Sequence, residues 1–285
     1  MSINKDIVTL REKTGSGILE CKHALVEADN DLEKATEILR KKGIAQAVKK
    51  GARTTKDGLV SVRVENNGKS AVMLRLDCET DFVARTPDFI KLTDAITDRL
   101  VSAKEAQDIA TIPAELNGLV VESIGRLREN IKLSRFIRFN VQADTNTVVS
   151  YVHPGNKLGV LLEVKLDNPL AAGNQEIMNF LKDLAMQIAA MNPTWVKSSD
   201  VPGAVIEKEK EIYKQQEKSS GKPDKILEQI AMGKLKKFYG QACLVDQEFI
   251  KDPKVTIAKM IDVKKANTGF SLEPVRFARF KVGEE

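Results

Sequence analysis

The sequence predicts an α+β protein with antiparallel sheets, and three observations carry that prediction. Segments with apolar residues at helical spacing and segments alternating apolar with polar residues both occur. They follow one another in mixed order, without the regular β-α-β alternation that builds parallel sheets. Between two alternating runs, Asn66-Asn67-Gly68 supplies the turn chemistry of a hairpin, which is an antiparallel connection. At 285 residues the chain has room for two or three domains. A hydrophobic content of 42% with 30% charged residues fits a soluble globular protein.

Residues 4 to 42 read as three short helices in one compact module. Ile7 and Leu10 mark the first, and Thr14-Gly15-Ser16-Gly17 breaks it. The second carries Ile18, Leu19, Ala24, Leu25 and Ala28. Ile18 and Leu19 do not both fit a core this small, so one of them is expected in solvent. Asn30 is placed as the cap of the third helix, with Glu33 completing a capping-box-like pair. Leu32, Ala35, Ile38 and Leu39 share one face, and Gly43 is the expected stop. The basic stretch Lys41 to Lys56 then reads as a solvated helix end and tether.

Val60, Val62 and Val64 alternate with Ser61, Arg63 and Glu65, and Ala71 to Cys78 forms the return strand. Thr80-Asp81-Phe82-Val83-Ala84-Arg85 follows, before a helix that Thr86 caps and Pro87 opens, with Phe89, Leu92, Ile96 and Leu100 on one face. On residue type alone, Phe82 is a core plug at the strand end and Asp81 a helix cap. The alternative is a bulky ring beside a carboxylate, presented on a connection where binding residues collect. A helix around Leu119, Val120, Ile124 and Leu127 comes next, then a strand from near Phe136 to Val141.

Val148 to Val152 and Leu158 to Leu166 form a second strand group across the turn His153-Pro154-Gly155-Asn156, where His153 is by default a turn residue. The helix at about 174–191 sets Ile177, Leu181, Leu184 and Ile188 on one face. Val275 to Val282 is strand-like with imperfect alternation, which suggests a bulge. Between these, Val205 to Lys218 is densely charged, Ser219-Ser220-Gly221-Lys222-Pro223 breaks it, and Asp224 to Tyr239 resumes with Ile226, Ile230, Leu235 and Phe238. This reads as a projecting helical hairpin with arms roughly 20 Å long. The domain division expected is 1–54 (module and tether), 55–143 (first core part), 144–200 with 241–285 (second core part) and 201–240 (hairpin).

Composition excludes several functions. Cys21, Cys78 and Cys243 lie far apart and only His23 and His153 accompany them, so no zinc or other metal site is expected. Dispersed thiols suit a reducing cytoplasm, and neither a signal peptide nor a membrane-length apolar run is visible. No glycine-rich phosphate loop, nucleophile elbow or metal-ligand cluster appears, so no catalytic residue, cofactor or enzymatic activity is expected. The net charge of +5 is spread among acids. A nucleic-acid-binding reading would use the basic tether and the charged hairpin, but aromatics make up only 5% and do not interleave with basic residues as stacking platforms.

Two segments carry a family resemblance. Leu10-Arg11-Glu12-Lys13-Thr14-Gly15-Ser16-Gly17-Ile18-Leu19-Glu20-Cys21-Lys22-His23-Ala24-Leu25 and Asp77-Cys78-Glu79-Thr80-Asp81-Phe82-Val83-Ala84-Arg85 resemble the two signatures of bacterial elongation factor Ts. Shorter echoes are Ile124-Gly125 with Glu129-Asn130, Val152-His153 with Lys157-Leu158-Gly159-Val160, Gln187-Ile188-Ala189-Ala190, and Phe249-Ile250-Lys251-Asp252-Pro253. Arg75 stands where the family usually has an acid, and Gln187 where many relatives have His. Many relatives also continue beyond the final strand into a terminal helical module with further partner contacts.

The resemblance implies a ubiquitin-associated-like amino-terminal module, a two-part α+β core and a coiled-coil protrusion. It implies guanine-nucleotide exchange on elongation factor Tu, in its GDP-bound and nucleotide-free states, with no direct nucleic-acid or membrane partner. Asp81 and Phe82, flanked by Thr80 and Val83, would intrude near the magnesium site of that GTPase. Arg11, Ile18, Leu19, Ile124, Gly125 and His153 would make further contacts. The hairpin could mediate dimerisation of two complexes or project freely.

Overall fold

The computed structural model describes residues 3–141, 143–217 and 224–284, and begins with three helices: α1 (Ile3–Thr14), α2 (Ile18–Glu27) and α3 (Leu32–Lys50). Ile7, Leu10, Cys21, Ala24, Leu25, Ala35 and Leu39 close a small core between them. Two local expectations change. Asp31, not Asn30, caps α3, its Oδ1 accepting from the Glu33 and Lys34 amides at 2.9 and 3.1 Å, while Asn30 takes the left-handed φ of 65° that completes the preceding turn. Gly43 does not end α3, which runs on to Lys50, so much of the expected tether is helix. A mid-helix glycine costs about 1 kcal/mol. Here it lies where α3 crosses a later helix: a Cβ on Gly125 would meet the Gly43 Cα at 3.5 Å.

The first sheet holds β1 (Asp57–Glu65), β2 (Ser70–Cys78) and β3 (Ile131–Asn140), all antiparallel in that order. Asn66, Asn67 and Gly68 take φ of 50°, 52° and 86°, the left-handed backbone that joins β1 to β2. After β2 come one helical turn, α4 (Asp81–Ala84), and the helices α5 (Pro87–Ser102) and α6 (Ala114–Leu127). β3 begins at Ile131, five residues before the expected start, because a register shift opposite Arg75/Leu76 hides its alternation. The second sheet pairs β4 (Asn146–Val152) with β5 (Leu158–Leu166). α7 (Gln175–Met191) follows β5, and its Asn174 cap accepts from the Ile177 amide at 3.1 Å.

Two helices come next, α8 (Gly203–Glu217) and α9 (Asp224–Ala242). They lie antiparallel, with Lys214 Nζ 3.6 Å from Glu228 and Lys234 Nζ donating to Gln216 Oε1 at 3.1 Å. Leu227, Ala231 and Leu235 are the buried positions, whereas Ile226, expected on that face, is exposed. The break expected at 219–223 lies outside the described residues. At the base, the Thr194 and Trp195 amides donate to the Ala242 carbonyl, and the Leu244 and Val245 amides donate back to Trp195 and Val196. A small pair, β6 (Glu248–Phe249) and β7 (Asp252–Thr256), and the helix α10 (Ile257–Thr268) were not anticipated. β8 (Leu272–Lys281) completes the second sheet beside β5, with the expected bulge where Val275 slips out of register.

Alternation along the strands stacks these elements into four layers. In β2, Val72, Leu74, Leu76 and Cys78 face Phe89, Leu92, Ile96 and Leu100 of α5 and Leu116 and Val120 of α6. Ala71 and Met73, on the opposite face, join Val60 and Phe139 against Val148, Leu161 and Phe280 of the second sheet. The far face of that sheet, with Val160, Leu162 and Val164, is covered by Ile177, Leu181, Leu184 and Ile188 of α7 and Ile257 of α10. Gly159 sits at a close approach of the two sheets, where a Cβ would overlap the Val60 side chain. No helix among the described residues is long and apolar enough to cross a membrane.

Candidate partner-binding site

Strand register builds the site. Cys78 pairs with Ile131, so the residues leaving β2 run beside those entering β3. Glu129 therefore lies next to Thr80. Its Oε2 accepts from the Glu79 and Thr80 amides, each at 3.0 Å, and its Oε1 accepts from the Thr80 hydroxyl at 2.6 Å. In the same ladder, Glu79 Oε1 accepts from the Asn130 amide at 2.7 Å and lies 3.4 Å from Arg53 Nη1. The first residues after the strand are pinned before α4 begins.

The pinned segment then makes one helical turn. Thr80, not Asp81, is its cap: Thr80 Oγ1 accepts from the Val83 amide at 3.4 Å. Asp81 falls inside the turn and pairs with Arg85 at 3.0 Å, both side chains being well exposed. Ala84 is fully buried and Val83 packs against the α5–α6 core, so the turn is anchored from below. Thr86 receives the chain, accepting from the Phe89 amide at 3.3 Å and donating to the Val83 carbonyl at 2.8 Å.

Phe82 points the other way and is 81% exposed, the highest value among the described large apolar side chains. The reading of it as a core plug is corrected: Phe89 and Cys78 already fill that position. Burial pushes the Cys78 thiol up to about 12, with the Glu129 charge adding to it. Such a thiol is inert. Among the described residues, no three His, Cys, Asp or Glu side chains group to hold a metal ion.

The remaining candidate residues divide. Ile18 and Leu19, at the start of α2, are 56% and 70% exposed, so both lie in solvent rather than one. The stripe Cys21, Ala24, Leu25 already fills the module. Arg11 lines a shallow groove of about 450 Å³ with Ile7, Val8 and Ile18. This end of the module meets the core near the pinned turn: Glu20 lies 3.3 Å from Arg128, the neighbour of Glu129. Ile124 is only 4% exposed and packs inward, in the core beneath α5 and α6. Gly125, half-buried, supports the α3 crossing.

His153 is exposed on the β4–β5 turn, its Nδ1 2.9 Å from the Tyr151 hydroxyl. The Asn156 carbonyl of that turn accepts from the Val60 amide at 2.7 Å. Lys157 also forms an ion pair with Asp57. Asp57 pairs with Cys78 across β1 and β2, so the His153 turn and the Phe82 turn project from the same end of the stacked sheets. Glu129 is the residue that sequence reasoning undervalued. Its signal was positional, an acid just ahead of the strand that pairs with the end of β2.

A rigid apolar ring beside a carboxylate, held on a pinned turn, can enter another protein's site. The family model described as Elongation factor TS matches residues 79–284. Elongation factor Ts of Clostridium botulinum (strain Alaska E43 / Type E3) is 42% identical over 291 positions, covering 98% of this chain and 92% of that protein. The Aquifex aeolicus (strain VF5) protein of the same name is 40% identical over 292 positions, covering 98% and 97%. That of Alkalilimnicola ehrlichii (strain ATCC BAA-1101 / DSM 17681 / MLHE-1) is 39% identical over 291 positions, covering 100% and 93%. Likeness at this level over nearly the whole chain means that it belongs to the elongation factor Ts family and has a role in translation elongation.

Proposed function

We propose that the protein promotes guanine-nucleotide exchange on elongation factor Tu, acting in the cytoplasm and without covalent chemistry. Its Asp81-Phe82 turn enters near the magnesium site of the GTPase and stabilises the nucleotide-free state. Membership of the family supports this reading, and the observation that carries it is Phe82, 81% exposed on a turn pinned by Glu129. A guanine nucleotide is held by backbone amides around its phosphates and by magnesium bridging their oxygens. Displacing that ion removes the largest local positive charge. Linkage is reciprocal, so incoming nucleotide weakens the factor's grip by the same factor and releases it for another cycle.

In this reading Thr80 and Val83 frame the wedge, Arg11, Ile18 and Leu19 bring the ubiquitin-associated-like module onto the same GTPase domain, and His153 reaches a second region of the partner. Gly125 contributes through the core, and Ile124 supports it from within. The units this reading uses are 1–54, 55–143, 144–200 with 241–285, and 201–240. The α8–α9 arm is a coiled-coil hairpin available for association of two complexes, and nucleic acid is not contacted directly.

The test is release of a fluorescent GDP analogue from elongation factor Tu, with wild type and with Phe82→Ala. Burying a Phe side chain contributes about 1.5–3 kcal/mol. The folded variant is therefore expected to need roughly 10- to 100-fold more protein for the same acceleration. Absence of acceleration by wild type refutes exchange. Equal acceleration by both proteins keeps exchange and transfers the work to Asp81 and the wider interface.

A further inference from the structure

The apolar contact between the two sheets gives way, at the end that carries both turns, to a buried polar cluster. Arg75 and Asp77 lie on the inter-sheet face of β2, are more than nine-tenths buried, and pair at 3.0 Å. Arg75 Nη1 also donates to the Lys281 carbonyl at 3.0 Å and to the Glu284 carbonyl, on the tail that follows β8. That tail is itself held. The Glu284 carboxylate lies 2.7 Å from both Arg279 and Lys281, and the Val282 amide donates to the Lys157 carbonyl.

The pair is poorly suited to stabilising the fold. Arg75 Nε and Asp77 Oδ1 are buried without a hydrogen-bond partner among the described residues. Arg135, opposite Arg75 on β3, has its pKa lowered by burial first and by the like charge of Arg75 second. A buried ion pair with unmet bonds adds little net stability, and apolar replacements of the same size are often neutral or better. What such a pair does fix is position. Apolar faces can slide a fraction of an ångström at small cost, whereas a guanidinium bonded to two specified carbonyls cannot.

The position in question joins the two turns. Three residues beyond Arg75 the strand ends at Cys78 and leads into the Phe82 turn. Lys281 pairs with Leu158, which directly follows the His153 turn. We propose that Arg75 is a positioning residue: by locking β2 to the tail 282–284 it holds the Phe82 and His153 turns at one fixed separation, so that a single rigid partner engages both. The proposal rests on the exchange reading only for its functional consequence.

The test uses the full chain with cysteines introduced at exposed Lys91 on α5 and at Pro154, spin-labelled; the three native cysteines are buried. Pulsed electron–electron distance measurement is expected to give one narrow distribution for the otherwise wild-type chain and a broadened or displaced one for Arg75→Met. In nucleotide release from elongation factor Tu, the half-saturating concentration of Arg75→Met should rise about tenfold, within the range of site-to-site couplings, with the maximal rate preserved. A merely structural role would instead lower the active fraction and leave half-saturation in place. Glu284→Ala, which frees the tail without touching the core, should shift both readouts in the same direction and add nothing to Arg75→Met. An unchanged distribution and half-saturation in folded Arg75→Met overturns the proposal. Should that variant fail to fold, an unchanged distribution in Glu284→Ala overturns it. Failure of wild type to accelerate release would sink the exchange reading alone, because the distance measurement needs no partner.

Discussion

Removing the Glu129 carboxylate should loosen the Phe82 turn while leaving the rest of the protein intact. Three donors converge on that carboxylate: the Glu79 amide, the Thr80 amide and the Thr80 hydroxyl. Hydrogen bonds to a charged group contribute about 1.5–3 kcal/mol each when protected. Thr80 is exposed, so water recovers most of two of these bonds, whereas the Glu79 amide is partly buried. The net loss for Glu129→Ala is therefore about 1–2 kcal/mol, confined to the turn. Native-state hydrogen exchange reads this directly. Protection at the Glu79, Thr80, Val83 and Ala84 amides should fall roughly 5- to 30-fold, the population change equivalent to that energy. Amides in β5 and α7, on the far sheet, should not change. Glu129→Gln keeps one oxygen able to accept both amides, and should lose about half as much on a logarithmic scale. In nucleotide release, Glu129→Ala should raise the half-saturating concentration, because a wedge that must be ordered on binding bears that cost then. Undiminished protection at Glu79 and Thr80 in Glu129→Ala would refute the claim that this carboxylate organises the turn.

Two further predictions concern the scaffold. Gly159→Ala places a methyl against the stiff, β-branched Val60 and 3.2 Å from the Met73 sulfur. It should destabilise by about 1–3 kcal/mol, seen as a lower urea midpoint at unchanged slope, and Val60→Ala should recover part of that loss. The second is a pH dependence. The Cys78 thiol is raised from the ordinary 9.0 to about 12 by burial first and by Glu129 second. Its folded value exceeds its unfolded one, so its contribution is fully present below about pH 9 and is lost as pH rises toward 12. Cys78→Ala should flatten that alkaline decline in urea unfolding. In wild type at pH 8, native Cys78 should resist iodoacetamide until the chain is unfolded.

Much of this was legible because local chemistry and tertiary structure agree. Thr86 and Pro87 start α5 as their residue types dictate, and the Asn66-Asn67-Gly68 turn follows from three residues that tolerate positive φ. The four layers follow from period-two alternation in β2 and β5, once it is seen that both faces of each sheet are covered. The misreadings lie where two adjacent residues can do the same job. Asn30 and Asp31 can both cap, as can Thr80 and Asp81, and only the preceding backbone decides which oxygen faces the free amides. Gly43 was misread because a stop and a helix crossing call for the same residue. α10 escaped notice because only Ile257 is fully buried along it. Within the site, Phe82 could be placed on a connection, but whether it pointed in or out depended on Phe89 and Cys78 having filled the core. Glu129 required the register of β3 against β2, which no local pattern carries.

The α8–α9 arm leaves the core beyond α7, at Trp195, and returns at Ala242 through a short main-chain ladder that also ties Leu244 and Val245 to the outgoing segment. Seen from the core, the arm is therefore a closed branch whose two ends already touch. Lengthening or shortening it by whole turns changes how far the protein reaches while leaving the stacked sheets, and the two turns at their end, where they are. Reach and grip are thus separable variables in this architecture, and selection can adjust one without renegotiating the other.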